Sequence, residues 1–303
     1  MSFTQIIIGQ VIIIFLLIVV GFILGKLKII TEAGTKQITD VLLCLVTPAV
    51  VINAYQREFE PRLLKNLLMA FLLAVIIHFV AIVISTILFK KEPSNHYRVN
   101  RFASVYSNCG FMAIPLLSAS LGADGVFFGS AYLMIFTILY WTHGVYVYTE
   151  DKNQISLKKA IFNPGVIGAL ISLVLFFSGI RFKGVFKETL EYIISLNTPL
   201  AMLVMGTFLT RINLKNTFTN FEIYKTALLR LVVIPLIFVV LLKILKVDIN
   251  VSKAILISAS CPIAANTTLF ASKYNCDAGY AAEVVSFSTI LSILTIPLIL
   301  LLV

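Results

Sequence analysis

The chain has 303 residues, 59% of them hydrophobic and 13% charged, with a formal net charge of +10. A soluble domain carries about 25% charged and 45–50% apolar residues, so this composition excludes an ordinary soluble enzyme and indicates an all-α polytopic membrane protein. The basic residues are scattered through short loops rather than gathered into a patch, which argues against a nucleic-acid partner and makes the lipid bilayer the expected surroundings.

Apolar blocks of roughly 20 residues, each long enough to cross a ~30 Å hydrocarbon core, predict ten spans. In chain order they are 5–25, 36–55, 63–89, 98–121, 125–148, 163–180, 189–209, 223–246, 252–273 and 278–302. The first, "IIIGQVIIIFLLIVVGFILG", is too long for a signal-peptide core and has no small-residue cleavage site after it, so it is read as a retained span. Span 2 opens with Asp40, suited to a helix N-terminus, and contains Thr47 and Pro48 in "LVTPAVV". His78 sits deep in span 3, either as a group titrating near neutral pH or as a histidine hydrogen-bonded between helices. Span 4 carries "SNCGFMAIPLL", with Asn108, Cys109, Gly110 and Pro115 near its middle. Trp141 and His143 close span 5 as interface anchors. Span 7 contains Asn197, Thr198 and Pro199 in "LNTPLAM". Arg230 in span 8 is expected to snorkel toward the cytosolic interface. Span 9 carries "CPIAANTTLF", with Pro262, Asn266, Thr267 and Thr268. Glu283 lies inside span 10, where an acid either couples protons or snorkels from the cytosolic end.

Lys and Arg are more frequent in loops after odd-numbered spans than after even-numbered ones, which places both termini outside the cell membrane. Cys44, Cys109, Cys261 and Cys276 lack metal-ligand spacing and read as small buried hydrophobes. Neither a metal site nor a cofactor is expected; coupling to H+ or Na+ stays open.

The halves echo one another. "LVTPAVV" and "LNTPLAM" stand about half the chain apart, as do the polar ends "SASLGADG" and "FASKYNCDAG". Five spans per half force the second copy to enter from the opposite side, giving inverted repeats over 1–150 and 151–303. Prolines inside spans 4 and 9 free backbone groups that cost several kcal/mol each in hydrocarbon unless protein or a water-filled cavity satisfies them. Broken at matched depth, the two helices would restart near Ile114–Pro115 and Asn266–Thr267. Their N-terminal tips, each about +0.5 of a charge, would then face one anion. Asn108 and Asn266 add amides, Thr267 and Thr268 hydroxyls. Thr47–Pro48 and Thr198–Pro199, with Asn197, either face the substrate path or form symmetric kinks. No nucleophile and base stand together, so an enzyme is not expected.

The strings "SNCGFMAIPLLSASLG", "CPIAANTTLFASKYNCD" and "STILSILTIPLILLL" resemble the auxin efflux carrier family, which contains plant PIN-formed carriers and bacterial malate and malonate permeases. The resemblance covers the whole chain. It implies crossed, broken helices at spans 4 and 9, a scaffold of spans 1, 2, 6 and 7, and a mobile transport domain of spans 3–5 and 8–10. It also implies elevator-type transport of small organic anions and a homodimer through the scaffold. Asn108 maps onto the family's carboxylate contact, and Pro115 and Pro262 onto its crossover prolines. The loop between halves is short, unlike that of plant carriers, and "FEPRLLKN" offers no convincing acid–lysine pair, so a short dicarboxylate such as malate or malonate competes with auxin-like acids. The alternatives are a sodium-coupled organic-anion symporter of the bile-acid type and a carboxylate receptor that does not transport.

Overall fold

The computed structural model describes residues 3–210 and 220–303. Arg211 and Lys215, two of the basic loop residues used for orientation, lie outside them. Among the described residues all regular structure is helical, apart from one isolated antiparallel bridge. We number the helices α1 (Phe3–Lys26), α2 (Glu32–Ala54), α3 (Pro61–Leu88), α4 (His96–Val105), α5 (Cys109–Thr149), α6 (Leu157–Ile161), α7 (Pro164–Ser178), α8 (Val185–Leu209), α9 (Phe221–Leu245), α10 (Ile249–Ser260), α11 (Asn266–Lys273) and α12 (Ala278–Leu300). Seven are long and apolar enough to cross a membrane, eight if the bent pair Lys152–Ile161 and Pro164–Ser178 is one span.

The interior is mostly apolar, yet large apolar side chains also face outward and several polar ones lie inside. Leu16 and Val19 of α1, Phe79 of α3 and Val174 of α7 are exposed, while Asn108, Arg230 and His78 are buried. In lipid there is no hydrophobic drive to hide apolar side chains, so packing and polar satisfaction select what goes inside.

Prolines shape the long helices locally. The π-turns Leu42–Val46, Cys109–Ala113 and Leu229–Val233 each end two residues before a proline, namely Pro48, Pro115 and Pro235. A helical proline donates no hydrogen bond and its ring crowds the carbonyl one turn back. Widening the preceding turn relieves that clash without ending the helix.

α5 is 41 residues long, about twice what one crossing needs. It doubles back at Gly122, whose φ of 60° and ψ of −143° are inaccessible to a side-chain-bearing residue without strain. A methyl group at Gly125 would lie 2.6 Å from the Leu117 carbonyl oxygen, and one at Gly129 would collide with the Leu117 side chain. The chain after Gly122 therefore packs on the chain before it, and α5 covers the second half of predicted span 4 and all of span 5.

α1 lies along α8 and α2 against α7, whereas α5 packs on α3 and α10. Backbones touch at the α1–α8 crossing: a methyl at Gly21 would sit 2.7 Å from the Leu203 Cα, and one at Gly206 2.6 Å from the Gly21 carbonyl carbon. Small residues permit such approach, the usual basis of helix pairing in membranes. At the end of α5, Glu150 binds Lys91 at 2.7 Å, Arg98 at 3.1 Å and the Tyr97 hydroxyl at 2.6 Å, and the lysine and tyrosine bonds hold its carboxyl down to about 2.

Candidate functional site

α4 stops at Val105 and α10 at Ser260; extended backbone follows in each. The two interruptions meet. Ser107 and Ile263 form the antiparallel bridge, with Asn108 N–H donating to the Pro262 carbonyl at 2.7 Å and Ala264 N–H to the Tyr106 carbonyl at 3.0 Å. The Ser288 hydroxyl accepts from Ile263 N–H at 3.2 Å. Backbone groups that a broken helix would leave bare in hydrocarbon are thus paired across the crossing. Pro262 suits this place because it brings no N–H to satisfy, and it holds Cys261 extended at φ −63° and ψ 151°.

Pro115 behaves differently from the expectation that it marks the break. The helix restarts at Cys109, ahead of Ile114–Pro115, and Pro115 lies beyond the π-turn inside continuous helix. Pro115 is the seventh residue of this helix, and the π-turn before it takes up its ring without ending the helix. The other restart is at Asn266, as the spacing predicts.

A cavity of about 650 Å³ opens against the crossing, walled on one side by α2 and on the other by the start of α5, its returning half and α11. Asn108, Gly110, Asn266 and Thr47 line it. Asn108 is buried and its amide donates to the Met205 sulfur of α8 at 3.1 Å, a weak acceptor that an oxyanion would outcompete. The N–H groups of Cys109, Gly110 and Phe111, the first three of α5, have no intrahelical acceptor, whereas that of Met112 donates to the Asn108 carbonyl at 3.0 Å. Thr47 is buried and its hydroxyl has no hydrogen-bond partner. Gly110 leaves open space: an added methyl there would meet nothing within 4 Å.

The remaining predicted residues are placed elsewhere. Cys109, Pro115 and Pro262 pack around the crossing without lining the cavity. Thr267 is buried behind it, its hydroxyl donating to the Ala264 carbonyl at 2.6 Å, and Thr268 turns away. Asn197 is buried in α8, Pro199 is exposed, and neither they nor Thr198 reach the cavity. Pro48 packs on Gly168 of α7. His78 bonds the Ala74 carbonyl of its own helix at 2.7 Å and its ring lies 4.6 Å from that of Tyr132. Glu283 lines a separate depression with His96 and Asp277. All four cysteines are free.

Several lining residues escaped the sequence reading. Ser107 precedes Asn108 in the bridge, and Phe111, Phe136 and Phe208 form an apolar wall. Trp141 and Asp40, read as an interface anchor and a helix-end acid, also line the cavity. Lys273 stands 5.6 Å above the Trp141 ring and lines the cavity together with Lys36 and Glu32. Which face of an apolar helix meets a cavity depends on its neighbours, so no periodic signal marked these positions.

Arg230 corrects an expectation. It does not snorkel: it is 1% exposed and its guanidinium donates to the carbonyls of Cys261 at 3.3 Å, Ser104 at 3.4 Å, Val105 at 3.2 Å and Ala259. Helix-end carbonyls supply the solvation that water would otherwise provide.

Broken helices that cross beside an open cavity are a construction shared by many membrane transporters. The sequence model of a family described as "Membrane transport protein" matches residues 6–300. The chain belongs to that family, which includes the auxin efflux carriers. It is also similar to an uncharacterized transporter of Methanocaldococcus jannaschii, 22% identical over 298 residues that cover 95% of this chain and 96% of that protein.

Proposed function

We propose that the chain is a secondary carrier for small organic anions, taking a carboxylate at the crossing where α5 and α11 begin. The observation that carries this reading is the paired interruption beside the cavity. Two helix starts, each about +0.5 of a charge, stand there with the first N–H groups of α5 and the Asn108 and Asn266 amides. No Lys or Arg needs to enter the binding centre. The aromatic wall admits acids with an apolar body, such as auxin-like acids, as well as malate or malonate.

In this reading ten crossings form two inverted five-helix repeats. α1, α2, α7 and α8 serve as scaffold and dimer face, and α3–α5 with α9–α12 move as an elevator. The cavity lies on the boundary between the two groups, and in this reading it opens toward the end that carries Lys36 and Lys273, both of which line it. That end holds the loops richer in basic residues, the cytosolic side by charge bias, so the termini face outward. At the opposite end α2 is tied to α5: Arg57 pairs with Asp124 at 2.6 Å, and the Tyr55 hydroxyl meets that of Ser130 at 2.8 Å. These contacts would hold an inward-open state and must break for the carrier to turn over.

Protein reconstituted in liposomes is expected to show saturable flux of labelled malate, malonate or an aromatic acetate, measured with and without a sodium gradient. No saturable flux across a broad carboxylate panel would sink the reading, and binding without flux would make the chain a receptor. Gly110 gives a finer test. Gly110→Ala should keep the melting temperature, since its methyl meets no protein atom, yet weaken anion binding by about tenfold, because the methyl occupies the path to the α5 tip. Unchanged affinity would move the site elsewhere.

A further inference from the structure

Behind the anion site the same crossing has a second pole. α4 and α10 both end there, and the last carbonyls of a helix have no N–H partners within it. The oxygens of Ser104 and Val105 close α4, and those of Ala259 and Cys261 close α10; all four converge on the Arg230 guanidinium. The hydroxyls of Ser104 and Ser260, in the same two helix ends, are buried without a hydrogen-bond partner. An oxygen-rich cage of carbonyls and hydroxyls at two negative helix ends is the chemistry of an alkali-cation site. Here the chain's own side chain enters it.

The charges balance. Two helix C-termini contribute about −0.5 each, and one guanidinium contributes +1. The two N-termini on the other side then present about +1 in total to a monoanion. Without a cation in the cage, the convergent carbonyls would set a negative potential close to the anion and push it out.

We propose that Arg230 is a tethered counter-cation. The carbonyl cage is a monovalent-cation site that this chain fills with its own guanidinium, locking the two broken helices together and replacing a dissolved coupling cation. The part concerning transport rests on the anion-carrier reading above; the part concerning the cage does not. Arg230 is thus a positioning residue that touches helix ends and not the transported solute. It sets which ion, if any, must accompany the anion. Its five donors match several carbonyls at once, whereas an ammonium offers three.

The test begins with stability, which needs no substrate. Arg230→Ala should melt lower than the parent protein. Millimolar methylguanidinium should raise its melting temperature by about 2–4 °C and leave the parent unshifted, because a ligand stabilises only a state with a place for it. Equal shifts in both proteins, or an Arg230→Ala melting temperature equal to the parent's, would overturn the cage. The second readout is anion binding in a buffer whose only cation is bulky, such as N-methylglucamine. The parent should bind there unaided. Arg230→Ala should bind at least about tenfold more weakly and recover with methylguanidinium or sodium. Binding by the variant that is as tight as the parent's, or that no cation restores, counts against the proposal. If no panel acid binds the parent, the anion-carrier reading fails while the melting experiment still judges the cage. Should Arg230→Ala not be recovered under either condition, Arg230→Lys decides. A folded protein that binds within about tenfold of the parent without sodium supports the proposal. A folded one that binds in no salt, or failure to recover either variant, overturns it.

Discussion

Gly206→Val is expected to abolish the purified, monodisperse protein, while Gly9→Ala leaves it intact. At Gly206 any Cβ would run into the Ile18 carbonyl and the Phe22 amide of α1, and at Gly21 the reciprocal contact is with Leu203 backbone. Backbone cannot rotate aside as a long side chain can, so the two helices must separate along their shared length. Overpacking a tight core costs about 1–3 kcal/mol even where side chains can shift. Here helix separation adds lost dispersion contacts along the whole α1–α8 seam, so the effect should exceed that range. Gly9 lies on α1 with nothing within 4 Å of an added methyl; its replacement should stay within about 0.5 kcal/mol. Size-exclusion profiles and thermal melts in detergent compare the two. A well-folded Gly206→Val protein would show that the α1–α8 contact is not what holds this part of the molecule.

Asn108→Ala should lower anion affinity by about 1–3 kcal/mol, which is roughly five- to 150-fold, without loss of fold. The amide now bonds a thioether at 3.1 Å, so its removal costs the empty protein little. With an anion bound, the same amide would donate a charge-assisted bond in a dry setting, where such bonds are about twice as strong as neutral ones. The asymmetry predicts a selective loss: melting temperature nearly unchanged, calorimetric affinity reduced. Equal affinity in variant and parent would remove Asn108 from the binding centre.

The expectation about Pro115 shows where sequence reading reaches its limit. Proline in an apolar segment signals a lost hydrogen bond, but not where the helix gives way. In span 9 the proline lies in the break itself; in span 4 the break precedes it, and a π-turn absorbs the ring. A helix has two ways of accommodating proline, and the neighbouring strand of backbone selects one. Arg230 carries the same lesson in electrostatic form. A lone arginine in a span reads as snorkelling because lipid cannot solvate it. Only the meeting of two helix ends supplies carbonyls that can.

By itself the sequence determined that the chain is helical and membrane-bound, that its segments near Asn108 and Asn266 are interrupted, and that its affinities lie with one transport family. Those properties follow from local composition: apolar length sets span size, and proline, glycine and asparagine disrupt helix wherever they fall. The tertiary structure alone decided that Ser107 pairs with Ile263, that Thr47, Trp141 and Asp40 share the cavity while Thr198, Thr268 and Glu283 do not, and that Arg230 faces inward. In a bilayer every face of a helix can be apolar, so the pattern along the chain does not say which face meets protein. That choice belongs to packing between distant segments.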